Sequence, residues 1–167
     1  MAGLLLVAAL LGACGTLPPM GHKPASAAQA PKDDGDLADI AKASTPPGEL
    51  SGFRLLPLGP YALDARLQLI HRARYSLDLQ YYVIEDDATG RLLLRSLRDA
   101  AARGVRVRLL VDDLFTSHTD AMLRLLADHP HIEVRLFNPF CCLRGSTLGR
   151  FAGSLGDIYR VNHRMHN

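Results

Sequence analysis

Two histidines near the carboxyl end are the main candidates for catalytic or metal-binding residues in this sequence. His163 and His166 stand three positions apart in the run VNHRMHN, with Arg164 between them. An imidazole can act as a nucleophile or transfer a proton near neutral pH. On a helix the pair would share one face and could in principle ligate a metal. No third ligand is apparent nearby, so we expect no metal site and assign His163 a supporting polar role.

The sequence around these histidines is basic. From residue 144 onward the cations are Arg144, Arg150, Arg160 and Arg164, against the single acid Asp157. Such a segment favours an anionic ligand such as a phosphodiester, although a solvated basic loop explains the charge equally well. The net charge of the whole chain, +2, is too small to indicate a partner.

The remaining polar candidates are interpreted as structural. Cys141 and Cys142 are adjacent, and because neighbouring cysteines bridge only through a strained ring, we expect small apolar residues in a turn. Asp112 and Asp113 form an acidic pair at the end of a predicted strand, and we interpret them as groups that hydrogen bond in the loop rather than transfer a proton. Four further histidines are expected on helix surfaces or in loops: His71, His118, His129 and His131.

Residues 1–14 are predicted to be a lipoprotein-type signal segment. The run from Leu4 to Leu11 contains only Leu, Val and Ala, and it is far shorter than the roughly 20 residues that span a bilayer. The following LGAC resembles a bacterial lipobox, which makes Cys14 the expected lipid-attachment residue. No Lys or Arg precedes the run, so the true start could lie upstream. A secretory signal without lipidation is the alternative.

Residues 15–50 are predicted to be a disordered tether rich in Pro and Ala. They contain six prolines, from Pro18 to Pro47, and bury little apolar surface. Within them, residues 36–43 are expected to form no more than a short amphipathic turn. A tether behind a lipid anchor predicts a domain held at a membrane surface. We therefore expect a bacterial cell-envelope protein that is membrane-anchored and faces the periplasm.

From residue 51 onward, helical and strand patterns alternate. Leu77, Leu79 and Tyr81 recur with the period of two that is typical of a strand, and Gly104 is expected to close the following helix. The last helix is expected to be capped by Ser117 or Thr119. The predicted order is helix, strand, helix, strand, helix, strand over 63–74, 75–84, 91–104, 105–113, 117–129 and 132–139. This order predicts an α/β fold with a mostly parallel sheet and helices on both faces, incomplete at the carboxyl end.

Residues 77–113, LDLQYYVIEDDATGRLLLRSLRDAAARGVRVRLLVDD, resemble the first half of a bacterial phospholipase D superfamily protein. They are most similar to the cardiolipin synthase branch, particularly its C-type. The run VNHRMHN resembles the approach to the superfamily signature His-x-Lys-x-x-x-x-Asp, with His166 as the motif histidine and Asn167 as the next position. By this resemblance, residues 51–167 are a partial phospholipase D-like domain that stops inside its first signature motif.

The resemblance implies a phosphatidyltransferase that works through a phosphohistidine. One imidazole attacks phosphorus and a second protonates the leaving alcohol, while the motif lysine and aspartate assist. His166 is therefore the expected catalytic residue, as nucleophile or as acid, and no metal or cofactor is implied. Anionic or zwitterionic phospholipids are the expected partners. Because the second catalytic half is missing from this chain, the chain alone is expected to be inactive.

Two other functions remain open at this point. One is a phosphodiesterase or nuclease of the same superfamily, although a membrane anchor favours lipids and we expect no nucleic acid partner. The other is a non-catalytic lipoprotein module that binds an anion or a protein. The resemblance further places Gln80, Tyr81 and Tyr82 in the packing around the floor of the active site.

Overall fold

The structure, a computed structural model, describes residues 25–48, 52–113, 116, 118–137 and 139. The sites predicted at Cys14, His163 and His166, and the Cys141–Cys142 pair, lie outside the described residues. The elements in chain order are α1 Asp36–Ser44, α2 Gly59–Arg72, β1 Ser76–Tyr81, α3 Ala88–Ala102, β2 Arg106–Asp112, α4 Asp120–Ala127 and β3 Ile132–Phe137.

The three strands form one parallel sheet in the order β1-β2-β3. One helix lies in each crossover, with α3 between β1 and β2 and α4 between β2 and β3. In the register of the sheet, Leu79 stands beside Leu109, and Leu109 stands beside Val134. The predicted α/β fold with a parallel sheet is therefore confirmed.

The alternation along β2 separates the two faces of the sheet. Val107 and Leu109 are at most 1% exposed and belong to one apolar cluster, which also contains Ile70 of α2, Leu97 of α3 and Leu126 of α4. The alternate residues of β2, Arg106, Arg108 and Leu110, point the other way and are only half-buried. In the described residues, α2, α3 and α4 thus all contribute to the core on one side of the sheet. The opposite side carries mainly polar groups and is called the polar face: Asp78, Gln80, Arg108, Leu110, Glu133 and Arg135.

Local hydrogen bonds explain where α3 begins and ends. The Asp87 carboxylate accepts a hydrogen bond from the backbone N–H of Gly90 at 2.7 Å, which caps the amino end. At the other end, Gly104 has a φ of 91°, and the N–H of Val105 donates to the carbonyl of Ala100. Because this cap needs a left-handed residue, the predicted closure of the helix by Gly104 is confirmed.

The predicted cap of α4 was wrong in its detail. Thr119 does stand immediately before the helix, but its side chain makes no capping hydrogen bond. The Thr119 hydroxyl instead donates to the carbonyl of Thr116 at 3.4 Å. The Thr119 hydroxyl thus uses its proton within the loop before the helix, and its oxygen accepts no hydrogen bond from the first N–H groups of α4. Ser117, the other predicted cap, lies outside the described residues.

Part of the segment predicted as a tether lies against the domain. The guanidinium of Arg108 donates to the carbonyl of Ser26 at 2.8 Å, and that of Arg106 donates to the carbonyl of Ala27 at 2.6 Å. Beyond them, the Tyr75 hydroxyl donates to the Asp34 carboxylate. The turn expected at residues 36–43 is the nine-residue helix α1. Over residues 25–48 these polar contacts dock the chain on the sheet, which composition alone did not indicate.

Candidate functional site

The carboxyl ends of the three strands meet at one edge of the sheet. Tyr81 pairs with Val111, and Asp112 pairs with Phe137, so the strands end side by side. Ligand sites in open α/β sheets lie outside such strand ends. We call this region the carboxyl edge: Tyr81, Asp112 and Phe137 with the loops that follow β1 and β2.

Buried acids organise the loop after β2. Asp113 is fully buried and Asp112 is 8% exposed. The hydroxyl of Thr116, also buried, donates to Oδ1 of Asp113 at 2.8 Å. Since a buried carboxylate is costly unless hydrogen bonded, this contact holds Thr116 against the end of β2. The interpretation of Asp113 as a hydrogen-bonding group of the loop is confirmed.

The loop after β1 folds tightly onto the start of α3. A Cβ at position 90 would stand 2.0 Å from the carbonyl oxygen of Glu85, a distance that no real side chain tolerates. Asp87 caps the same turn, and an ion pair between Arg91 and Asp86 lies on its exposed side. This role of Gly90 was not predicted from the sequence. The spacing Asp-x-x-Gly directly after a strand is the signal that could have indicated it.

The three polar residues at the end of β1 do not share one environment. Tyr81 packs against the apolar core, as expected for a residue of the floor, and burial raises the pKa of its hydroxyl. Its hydroxyl therefore stays protonated near neutral pH. Gln80 is exposed on the polar face and Tyr82 is 61% exposed. The expectation that all three pack was wrong for these two, because strand alternation turns Gln80 outward and β1 ends at Tyr81.

The described histidines match the sequence expectation. His71, His118 and His131 are exposed, and His129 is half-buried. The Nδ1 atom of His129 accepts a hydrogen bond from the backbone N–H of His131 at 3.2 Å, which makes it part of the turn before β3. No group of three or more His, Cys, Asp or Glu side chains in the described ranges could hold a metal ion. Among those same ranges, no helix is long and apolar enough to cross a membrane.

Ion pairs cross the polar face beside the sheet. The Arg108 guanidinium donates to the Asp78 carboxylate, and this hydrogen bond holds the pKa of Asp78 below its ordinary value. A hydrogen bond from the Ser26 side chain likewise lowers the pKa of Glu133, and a hydrogen bond from Arg135 lowers it by a smaller amount. These pairs link the three strands to the segment that carries Ser26, so their role is structural.

Replacing Asp78 by Asn is expected to make the stability of the chain less sensitive to acid. A carboxylate whose pKa is lowered contributes stability above its ordinary pKa, and that contribution is lost as the pH falls through the lowered value. The difference in the free energy of unfolding between about pH 7 and about pH 2 should therefore be smaller in Asp78→Asn, by at most ~1 kcal/mol because the pair is partly exposed. Urea unfolding at several pH values measures it.

The matched control for this prediction is Asp64→Asn, which removes an exposed carboxylate from α2. The control should keep the pH dependence of the wild-type chain. An unchanged pH dependence in Asp78→Asn would show that the Arg108 pair contributes nothing to stability.

Comparison with known proteins agrees with the architecture of the sheet and its edge. Residues 67–146 match the family described as "Cardiolipin synthase, PLD-like domain". The chain is 53% identical to Cardiolipin synthase C of Escherichia coli (strain K12) over 106 residues, which are 64% of this chain and 22% of that protein. It is 38% identical to an uncharacterized protein of Helicobacter pylori over 113 residues, 68% of this chain and 22% of the relative.

A third relative is Cardiolipin synthase A of Pseudomonas fluorescens, which is 30% identical over 113 residues, 68% of this chain and 21% of the relative. The matched region contains β1, α3, β2, α4 and β3. The α/β scaffold is thus part of a phospholipase D-like domain. The resemblance drawn from the sequence is confirmed: the chain is similar to cardiolipin synthases over about two thirds of its length, and residues 67–146 match their phospholipase D-like domain. It spans about a fifth of the length of these relatives.

The expected catalytic residue, His166, lies outside the described residues, which form the sheet and the loops at its carboxyl edge. At the carboxyl edge they place buried acids, hydroxyls and backbone groups around the strand ends. The two lysines within the described ranges, Lys32 and Lys42, both precede α2. The loop after β2 also carries one imidazole, that of the exposed His118.

Proposed function

We propose that this chain is the amino-terminal part of a membrane-associated phosphatidyltransferase that acts on phospholipids. The 53% identity to Cardiolipin synthase C of Escherichia coli over 106 residues is the observation that carries the proposal. Its substrates are phospholipids with anionic or zwitterionic headgroups. The activity belongs to a longer protein, and the 167 residues alone are proposed to be inactive.

In the proposed reaction, His166 is one of two imidazoles that act on the phosphodiester. One imidazole nitrogen attacks phosphorus and the bond to the alcohol oxygen breaks, which leaves a phosphatidyl group on nitrogen. The second imidazole donates the proton that the departing alkoxide needs. An acceptor alcohol then attacks the phosphohistidine, loses its proton to that second imidazole and takes the phosphatidyl group. His166 performs one of these two roles.

The same proposal gives Cys14 the lipid anchor. A lipid chain on Cys14 would hold the domain at the periplasmic side of the bacterial envelope, where its substrates lie. This part rests on the LGAC run and the apolar residues before it. Radiolabelled palmitate should enter the wild-type chain in bacterial cells and not the Cys14→Ser variant.

The test of the reaction is a product assay on the longer protein. Vesicles of phosphatidylglycerol, alone or mixed with phosphatidylethanolamine, should yield cardiolipin, which chromatography resolves from phosphatidic acid. Phosphatidic acid as the only product would favour a hydrolase. Cleavage of DNA without any change in the lipids would favour the nuclease alternative, and no reaction on either class of substrate would favour a binding module.

A further inference from the structure

An exposed apolar surface surrounds the start of α2. Phe53 and Leu55 are 95% and 85% exposed, and Leu58 and Tyr61 are 54% and 62% exposed. Single exposed apolar side chains are ordinary, but a continuous group of them marks an interaction surface. With Leu56, which is 44% exposed, these residues are called the apolar run.

The apolar run continues along one side of α2. Tyr61, Ala65 and Leu69 recur every four residues, so they share one face of the helix. Leu69 is 53% exposed, whereas Ile70, which faces the core, is 2% exposed. A helix with apolar residues on two sides is covered on both of them in its working environment. The second side of α2 therefore needs a partner.

The charges near the apolar run favour an anionic partner. From residue 52 to residue 63 the sequence contains one charged residue, Arg54, and the neighbouring acids, Glu49 and Asp64, lie outside this stretch. Arg54 lies between Phe53 and Leu55, which are the two most exposed large apolar side chains among the described residues. Apolar and aromatic side chains with an interleaved cation are the composition that binds the headgroup boundary of an anionic bilayer.

The shape of the segment favours lipid over protein. Residues 52–57 form neither helix nor strand, and the side chains of Phe53 and Leu55 project from the chain almost without protein contact. A protein interface of normal size needs about 800 Å² of closely packed surface on each partner. A fluid lipid boundary instead moulds itself around single projecting side chains.

We propose that the apolar run inserts into the headgroup boundary of an anionic phospholipid surface. Phe53 and Leu55 penetrate it, Arg54 pairs with lipid phosphates, and the exposed side of α2 rests on the surface. The choice of lipid as the partner rests on the proposed function, since a phosphatidyltransferase works on a bilayer. The contact orients the domain and is separate from any anchor at Cys14.

A single tryptophan tests the contact, because the chain contains none. The Phe53→Trp variant of the full 167-residue chain is mixed with vesicles of phosphatidylglycerol and phosphatidylethanolamine. Its emission should shift to shorter wavelength, and lipids brominated on their acyl chains should quench it. Adding Leu55→Asp to this variant should raise the lipid concentration needed for the shift roughly tenfold or more. Leu125→Trp, at a 74% exposed position of α4, is the matched control and should show neither shift nor quenching.

Three results would overturn the proposal. The first is unchanged tryptophan emission from the Phe53→Trp variant on vesicles to which the chain sediments. The second is emission at short wavelength before vesicles are added, which would mean that polypeptide covers the run. The third is an equal shift with neutral phosphatidylcholine vesicles, which would remove the anionic preference. Because none of these readouts requires turnover, loss of phosphatidyl transfer by the longer protein with an intact shift would count against the proposed function alone.

Discussion

Replacing His166 by Ala is expected to lower phosphatidyl transfer by the longer protein at least about 10³-fold. The reason is that the proposed reaction has no substitute for either imidazole, since water is a poor nucleophile at phosphorus and a poor acid for the leaving alkoxide. Initial rates of cardiolipin formation on phosphatidylglycerol vesicles measure the loss. The variant should bind vesicles as the wild type does, because the change leaves the scaffold of the sheet intact.

His163→Ala is the matched control, since it removes the same side chain three positions away. We expect its rate to stay within about tenfold of the wild type, as suits a supporting residue. Equal losses of rate in the two variants would indicate that both substitutions act by disturbing the folding of the segment that carries the two histidines. Unchanged cardiolipin output in His166→Ala would remove the catalytic assignment.

A second substrate separates the two roles that remain open for His166. In a phosphatidyl ester of p-nitrophenol, the leaving group departs without protonation, so a missing general acid matters little. If His166 is the acid, His166→Ala should release the first equivalent of p-nitrophenolate at close to the wild-type rate, because only the later attack of the acceptor alcohol needs this imidazole as a base. If His166 is the nucleophile, the loss should persist on this ester as well.

Replacing Gly90 by Ala is expected to lower the free energy of unfolding by about 3 kcal/mol or more. The new Cβ would stand 2.0 Å from the carbonyl oxygen of Glu85, and both partners of the clash are held by backbone. Relief requires that the loop after β1 move away from the start of α3, which also disturbs the cap that Asp87 makes to Gly90. Urea unfolding followed by far-ultraviolet circular dichroism measures the change.

Gly59→Ala is the control for this prediction. It lies at the start of α2, and a Cβ there meets nothing within 4 Å. Alanine at such a position is expected to change the free energy of unfolding by less than about 1 kcal/mol, in the stabilising direction. A Gly90→Ala chain that unfolds at the wild-type urea concentration would show that the loop can shift at little cost.

The elements of the fold were predictable because their signals are local. The period of two along Leu77, Leu79 and Tyr81 predicts β1, and the helical spacing before Gly104 predicts α3 with its end. Alternation of the two patterns then implies parallel strands, since each crossover needs a helix. These conclusions use residues a few positions apart and are confirmed.

What the sequence did not predict depends on contacts between distant residues. Ser26 and Arg108 are 82 positions apart, and their hydrogen bond depends on how the segment that carries Ser26 packs against the sheet. The close approach of Gly90 to Glu85 likewise depends on the angle at which α3 leaves β1. For the candidate site, the sequence predicted His166 through a family resemblance. The described residues form the strand ends and the loops beside them. They do not include His166, so its catalytic role remains a proposal.

Quenching the longer protein in alkali during turnover tests the phosphohistidine directly. The bond between nitrogen and phosphorus in this adduct is lost in acid and survives mild alkali, whereas strong alkali would hydrolyse the acyl esters. The quench is therefore made at mildly alkaline pH, and mass spectrometry of the peptides locates the adduct. We expect an adduct on one histidine. If His166 is the nucleophile, the adduct should lie on His166. If His166 is the acid, the adduct should lie on a second imidazole and should still form in His166→Ala. Cardiolipin formation at the full rate with no adduct on any histidine would contradict the account.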